Sequence, residues 1–223
     1  MTATHPATRL AVFDCDGTLV DGQGAVCEAM ETAFSECGLP CPERAVIRRA
    51  VGLSLPQAML RLAPQADPDK VRQVVGAYRA AFRAAREAGE LSEPLFEGIA
   101  ELLAALGAAG WAMGVATGKS DRGLVHCLAT HDISDHFVTL QTADRHPSKP
   151  HPAMLEAALA EACAMPADTV MIGDTDFDMA MAASIGVRAI GVAWGYHEAA
   201  ELRAAGAEFV AATVQELQEY LLA

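Results

Sequence analysis

Two aspartates two positions apart, Asp14 and Asp16, close the apolar run Leu10–Phe13 and are followed at once by Gly17. A strand-like run that stops in paired carboxylates is suited to nucleophilic and proton-transfer work. The strand fixes the first carboxylate, while a glycine-relaxed loop lets the second move. Three more polar stretches follow apolar runs further along the chain: "ATGKS" (Ala116 to Ser120), "SKPHP" (Ser148 to Pro152) and "GDTDFD" (Gly173 to Asp178). They offer a hydroxyl at Thr117, an ammonium at Lys149 and further carboxylates at Asp174, Asp176 and Asp178. The chain has three lysines against thirteen arginines, yet Lys119 and Lys149 both fall in these stretches. A compact point charge is wanted there rather than a planar fork.

The elements that must position these residues alternate. Short β-rich apolar runs at Leu10–Phe13, Trp111–Ala116, Phe137–Leu140, Val170–Ile172, Ala189–Ala193 and Phe209–Ala212 are separated by helical patterns at Gly98–Ala109, Arg122–Thr130, Ala153–Met165, Met179–Ile185, Glu198–Ala205 and Val214–Leu222. That rhythm predicts an α/β fold, a Rossmann-like parallel sheet core flanked by helices. In an open parallel sheet, ligands gather at the carboxyl ends of the strands, where all four polar stretches fall. Between Asp21 and Glu93 no strand pattern is visible, and four helical segments are expected around Ala25–Cys37, Glu43–Val51, Pro56–Leu62 and Asp69–Ala88. We expect residues 21–90 to form an inserted α-helical cap domain, with 1–20 and 91–223 as the catalytic core.

Carboxylates brought to one edge repel unless a hard cation neutralises them, and oxygen-only ligation selects Mg²⁺. Asp14 and Asp174 are the expected direct ligands. Such an ion also organises a phosphoryl group. With its charge offset by metal and Lys149, Asp14 can attack phosphorus and form an aspartyl phosphate, while Asp16 shuttles the proton. Thr117, Gly118 and Lys149 are expected to hold the phosphoryl end of the substrate.

The four motifs together resemble the haloacid dehalogenase superfamily, whose phosphatase pattern DxDGT[LV] is matched by "DCDGTLV" from Asp14 to Val20. "VATGKS", "SKPHP" and "GDTDFD" match the remaining motifs in order, and the inserted cap resembles the phosphoglycolate phosphatase and beta-phosphoglucomutase branch. The resemblance implies Asp14 as nucleophile and Asp16 as general acid/base that also offers Mg²⁺ its main-chain carbonyl. It further implies Asp174 as metal ligand and Asp178 as support for the metal site. Many phosphoglycolate phosphatases read TN where this chain reads Thr117-Gly118. The implied activity is hydrolysis of a small phosphorylated metabolite. The alternatives are a phosphosugar mutase and a non-catalytic phosphometabolite-binding protein.

Eight of the thirteen arginines lie between Arg44 and Arg86. Arg48 and Arg49 precede "VGLSLPQ", which resembles the family's cap loop, and either is expected to meet a second polar or anionic group on the substrate. The span from Asp21 to Glu90 balances nine acids with nine bases, so the formal net charge of −13 falls wholly on the rest of the chain. Nothing in that balance favours capture of nucleic acid or an anionic membrane. Hydrophobic residues make up 52% of the 223, which supports a folded globular chain. The opening "MTATHPATRL" has no leader pattern, no apolar window reaches membrane-spanning length, and a cytoplasmic monomer or weak homo-oligomer is expected. The six cysteines show neither CxxC nor metal-finger spacing, so reduced thiols are expected, Cys15 among them as an inert filler. His126, His131 and His136 share no helical or strand face and read as packing or surface residues. Asp176 reads as favouring the start of the following helix.

Overall fold

The four side chains of β1 (Leu10–Phe13) are all buried. The computed structural model describes residues 8–223, so most of the opening stretch on which the leader expectation rests lies outside the described residues. A strand without a solvent face needs neighbours on both edges and cover on both sides. β1 pairs in parallel with β2 (Ala112–Thr117) on one edge and β4 (Thr169–Gly173) on the other. β3 (Thr139–Thr142), β5 (Arg188–Val192) and β6 (Phe209–Ala211) complete a six-stranded parallel sheet in the order β3-β2-β1-β4-β5-β6. The chain runs outward from β1 to β3, returns to β4 beside β1, and runs outward again. The reversal leaves a crevice beyond the carboxyl ends of β1 and β4, where such sheets bind ligands.

Strand alternation divides the core into two layers. Ala11 and Phe13 face a cluster with Leu102, Leu106, Leu124 and Leu217, from α5 (Ile99–Ala108), α6 (Asp121–Thr130) and α10 (Val214–Leu222). Leu10 and Val12 face the opposite cluster with Met154, Leu155, Met179 and Leu202, from α7 (Ala153–Ala162), α8 (Asp176–Ser184) and α9 (Ala199–Ala204).

Between β1 and α5 the chain forms α1 (Gln23–Glu36), α2 (Arg44–Arg48), α3 (Leu55–Leu62) and α4 (Pro68–Glu87). These helices pack around a cluster of their own that contains Phe34, Ile47, Met59 and Val74. Asp67 caps α4 by accepting from Lys70 N at 2.8 Å, and Pro68 follows as its first residue, where a missing N–H costs nothing. The segments entering and leaving this helical cap pair with each other: Asp21 N donates to Pro94 O at 2.8 Å, and Val20 bridges Leu95 antiparallel.

Several elements differ from the sequence expectation, and the helix expected over Ala153–Met165 ends already at Ala162. The helix expected over 43–51 spans only 44–48. The strand expected at 137–140 lies at 139–142, because a 3-10 turn at Ser134–His136 occupies the preceding residues. The helix expected from Met179 begins at Asp176, since Asp178 accepts from Thr175 N and so closes its first turn.

Candidate active site

Asp14 is the first residue past β1, and its N–H donates to Ile172 O of β4 at 2.8 Å, so the ladder continues through it. Its Oδ1 accepts from Cys15 N at 2.6 Å. Its Oδ2 is buried without a hydrogen-bond partner and lies 3.0 Å from Lys149 Nζ. Lys149, from the loop between β3 and α7, also donates to Asp178 Oδ1 at 2.6 Å. Asp178, in the first turn of α8, accepts at Oδ2 from both the N–H and the hydroxyl of Thr175, at 3.2 and 2.6 Å. Asp174 directly follows β4 and accepts from Thr18 Oγ1 and Tyr196 N, each at 2.9 Å. A Cβ on Gly17 or Gly195 would run into the Asp174 carboxylate, and one on Gly173 into that of Asp178. Glycine is required at these positions because backbone and carboxylates approach so closely.

All four charged groups are buried. Burial pushes the Asp14 carboxyl up to about 7, with Lys149 opposing and Asp178 and Asp16 adding to the rise. Burial drives Asp174 well above the usual carboxylate range too, helped by the neighbouring charges of Asp14 and Asp178. Burial works against the Lys149 ammonium, but the two carboxylates beside it outweigh that cost and raise its pKa. Oxygens of Asp14, Asp174 and Asp178 all lie within 4.8 Å of one another. Three buried carboxylates against one ammonium leave a surplus of negative charge, which suits a hard divalent cation.

Asp16 stands apart from that cluster. Its Oδ1 lies 2.9 Å from Lys119 Nζ, and Lys119 also holds Glu93 Oε1 at 2.5 Å. Glu93 belongs to the segment returning from the cap, and its carbonyl accepts from His131 Nε2 at 2.8 Å. Thr117 ends β2 and is buried. Gly118 sits beneath the carbonyls of Gly52 and Leu53 in the cap loop, where a Cβ would collide with Leu53 O.

A cavity of about 430 Å³ opens between cap and core, lined at one part by Asp14, Asp16, Thr117, Gly118 and Lys119. Arg48 and Arg49 are not among its lining residues. The Arg48 guanidinium turns to Gln23 Oε1 at 3.3 Å, while Arg49 forms a bidentate pair with Glu201 of the core at 2.6 and 3.1 Å. The arginines at the cleft are Arg79, Arg83 and Arg86 of α4 with Arg122 of α6. The sequence points to no site role for these four, nor for Glu93, Thr18 or Tyr196. The i, i+4, i+7 spacing of the three α4 arginines was the available signal. Cys15 is buried with its Sγ 3.9 Å from that of Cys127, and this contact together with burial pushes its thiol pKa up.

A family model described as haloacid dehalogenase-like hydrolase matches residues 11–192. The chain belongs to this family. It is 35% identical over 211 residues to the probable phosphatase IndB of Dickeya dadantii, covering 93% of this chain and 91% of that one. It is 32% identical over 216 residues to the tyrosine-protein kinase PtkA of Mycobacterium tuberculosis, covering 96% and 72%. Among solved structures, a haloacid dehalogenase-like hydrolase of Streptococcus pneumoniae superposes with a TM-score of 0.83 at 26% identity, covering 96% and 98%. In this haloacid dehalogenase-like phosphatase, no helix among the described residues is long and apolar enough to cross a membrane.

Proposed function

We propose that this phosphatase hydrolyses a small-molecule phosphomonoester through an aspartyl phosphate on Asp14. What supports the reading above all is the convergence of Asp14, Lys149, Asp174 and Asp178 at the carboxyl ends of adjacent strands. The Cys15 N–H fixes Oδ1 of Asp14 and leaves Oδ2 free to attack phosphorus. Lys149 draws phosphoryl oxygens toward that atom, and Thr117 adds a hydroxyl donor at the same end of the cleft. Asp16, held beside Lys119, protonates the leaving oxygen and then takes the proton of the hydrolytic water. Asp14 and Asp174, with Asp178 behind them, would hold Mg²⁺, which when bound offsets the negative charge that gathers in phosphoryl transfer. The cap excludes bulk water while the ester is bound.

The test is turnover of a phosphomonoester panel with Mg²⁺, read as free phosphate release, so that a mutase appears as isomerised substrate instead. Asp14→Asn is expected to abolish release and to remove the alkali- and hydroxylamine-labile phosphoryl adduct trapped by rapid acid quenching. Asp16→Ala should slow turnover about 10²- to 10⁴-fold, the range for a lost general acid/base. Full steady-state turnover by the Asp16→Ala protein sinks that assignment.

A further inference from the structure

The cleft that holds the reacting groups is larger and more specifically lined than transfer from a two-carbon acid requires. At about 430 Å³ it falls in the range that encloses a drug-sized ligand. Val26, Met30, Ile47, Leu55, Tyr78 and Phe82 give it an apolar wall. Tyr78 and Phe82 stack with centroids 5.7 Å apart. The Phe82 ring stands between two cations, Lys119 Nζ and the Arg86 guanidinium, each 5.8 Å from its centroid. A path therefore leads from Asp16 through Lys119 and Phe82 to Arg86.

Some arginines of the chain pair with a carboxylate and others do not, and the cleft collects four of the unpaired ones; Arg9, Arg48, Arg61 and Arg203 also lack an ion pair among the described residues, but none of them lines the cleft. Arg44, Arg49, Arg72, Arg145 and Arg188 each pair with a carboxylate. Among the described residues, Arg79, Arg83, Arg86 and Arg122 have no carboxylate within ion-pairing distance, and Arg86 Nε is buried without a hydrogen-bond partner. In a chain with a net charge of −13, unneutralised guanidinium groups at one cleft form a local field of opposite sign. Guanidinium is also the cation best shaped to grip a carboxylate or phosphate in two places.

Resting on the phosphatase reading above, we propose that the substrate is a phosphomonoester with an apolar, ring-sized body and a second anionic group. The ring packs against Phe82 and Tyr78, and the second anion meets Arg79, Arg83, Arg86 and Arg122.

Three probes separate the contributions: phenyl phosphate, 4-carboxyphenyl phosphate and phosphoglycolate. The wild-type protein is expected to favour 4-carboxyphenyl phosphate over phenyl phosphate by roughly tenfold in kcat/KM, the scale of one charge-assisted hydrogen bond. It should also favour 4-carboxyphenyl phosphate over phosphoglycolate. The double variant Arg83→Gln/Arg86→Gln should collapse the first preference toward one, and Phe82→Ala should collapse the second. Both readouts are ratios measured on one preparation, so loss of folded protein does not mimic the effect. Calorimetric binding of 4-carboxybenzylphosphonate against benzylphosphonate reads the charge preference without turnover. Equal kcat/KM or equal binding for the charged and uncharged members, or a preference untouched in the arginine variant, overturns the proposal. Absence of turnover on every ester together with a retained binding preference overturns the phosphatase reading and leaves only the ring-and-anion ligand preference of the cleft standing.

Discussion

Asp14 and Asp16 are near neighbours in the chain but are held by different lysines, Asp14 by Lys149 and Asp16 by Lys119. The Asp14 environment carries a pH signature. Burial, with Lys149 opposing, moves its carboxyl from 3.8 to about 7, and burial moves Asp174 in the same direction. A folded carboxyl that holds its proton more tightly than the unfolded one stabilises the metal-free protein fully below about pH 4. That contribution is lost as pH rises through about 7. Mg²⁺ requires the ionised ligands and so competes with those protons, which for Asp14 amounts to about 1.4 kcal/mol for each pH unit below about 7. Thermal stabilisation by Mg²⁺ over a chelator control should therefore be slight near pH 5.5 and reach several degrees near pH 8. A Mg²⁺ shift that does not change with pH removes Asp14 and Asp174 from the ligand set. At this scale the sequence was most informative where chemistry is encoded in one short run. The carboxylates of "DCDGT" and "GDTDFD" were legible, whereas the grip of Lys119 on Glu93 joins residues 26 apart that no local pattern links. Arg48 and Arg49 attract a substrate role in the sequence because they precede a glycine-containing break. Which way an arginine points depends on tertiary partners, here Gln23 and Glu201.

Elements that bear on the site were read well where burial alone decides them and less well where polar residues lie inside them. The bounds of β1 and α10 coincide with the expectation, since each carries a plain apolar pattern. β3 was displaced because its residues are polar, yet Thr139 and Gln141 are buried and satisfied: Gln141 Nε2 donates to Thr139 Oγ1 at 2.7 Å, and Thr139 Oγ1 donates to Glu161 at 2.6 Å. α8 begins earlier than its apolar pattern suggests, because Thr175 and Asp178 in "TDFD" bond each other and so close a first turn built of polar residues. The turn after β2 gives the departure from the TN pattern a physical cause, because Gly118 has no room for a side chain beneath the carbonyls of Gly52 and Leu53. Gly118→Ala must lift the cap loop off the core or distort the Thr117 turn. Overpacking of this kind costs roughly 1–3 kcal/mol when the site cannot relax. Here the cap can move instead, so kcat/KM is expected to fall at least about tenfold while the melting temperature changes little. Wild-type kinetics in the Gly118→Ala protein contradict the close approach of cap loop and core.

Across the whole molecule, cap and core are joined differently from the way each is built. The core has two apolar clusters and the cap one of its own, and among the described residues no buried apolar cluster spans both. What links them is mostly polar: Ser54 N donates to Ser148 Oγ at 2.8 Å, Arg61 lies 5.4 Å over the Phe177 ring, and Arg49 pairs with Glu201. Interfaces of that kind permit relative motion without exposing a core. The balanced charge of residues 21–90 against the acidic remainder, visible in composition, fits two units that meet through such pairs, although composition could not say which pairs form. Glu201 is held well below the usual carboxylate range, to about 2, by its bonds to Arg49, so the pair remains charged throughout the neutral range. Arg49→Glu places two like charges at this latch. The population should shift toward an open cap, with a larger radius of gyration in solution scattering and a raised KM. Because the latch lies outside the cleft, the rise should be the same for phenyl phosphate and for a substrate with a second anion, unlike the selective loss expected from Arg83 and Arg86. A rise confined to the doubly anionic substrate would return Arg49 to the substrate-contact role first read from the sequence.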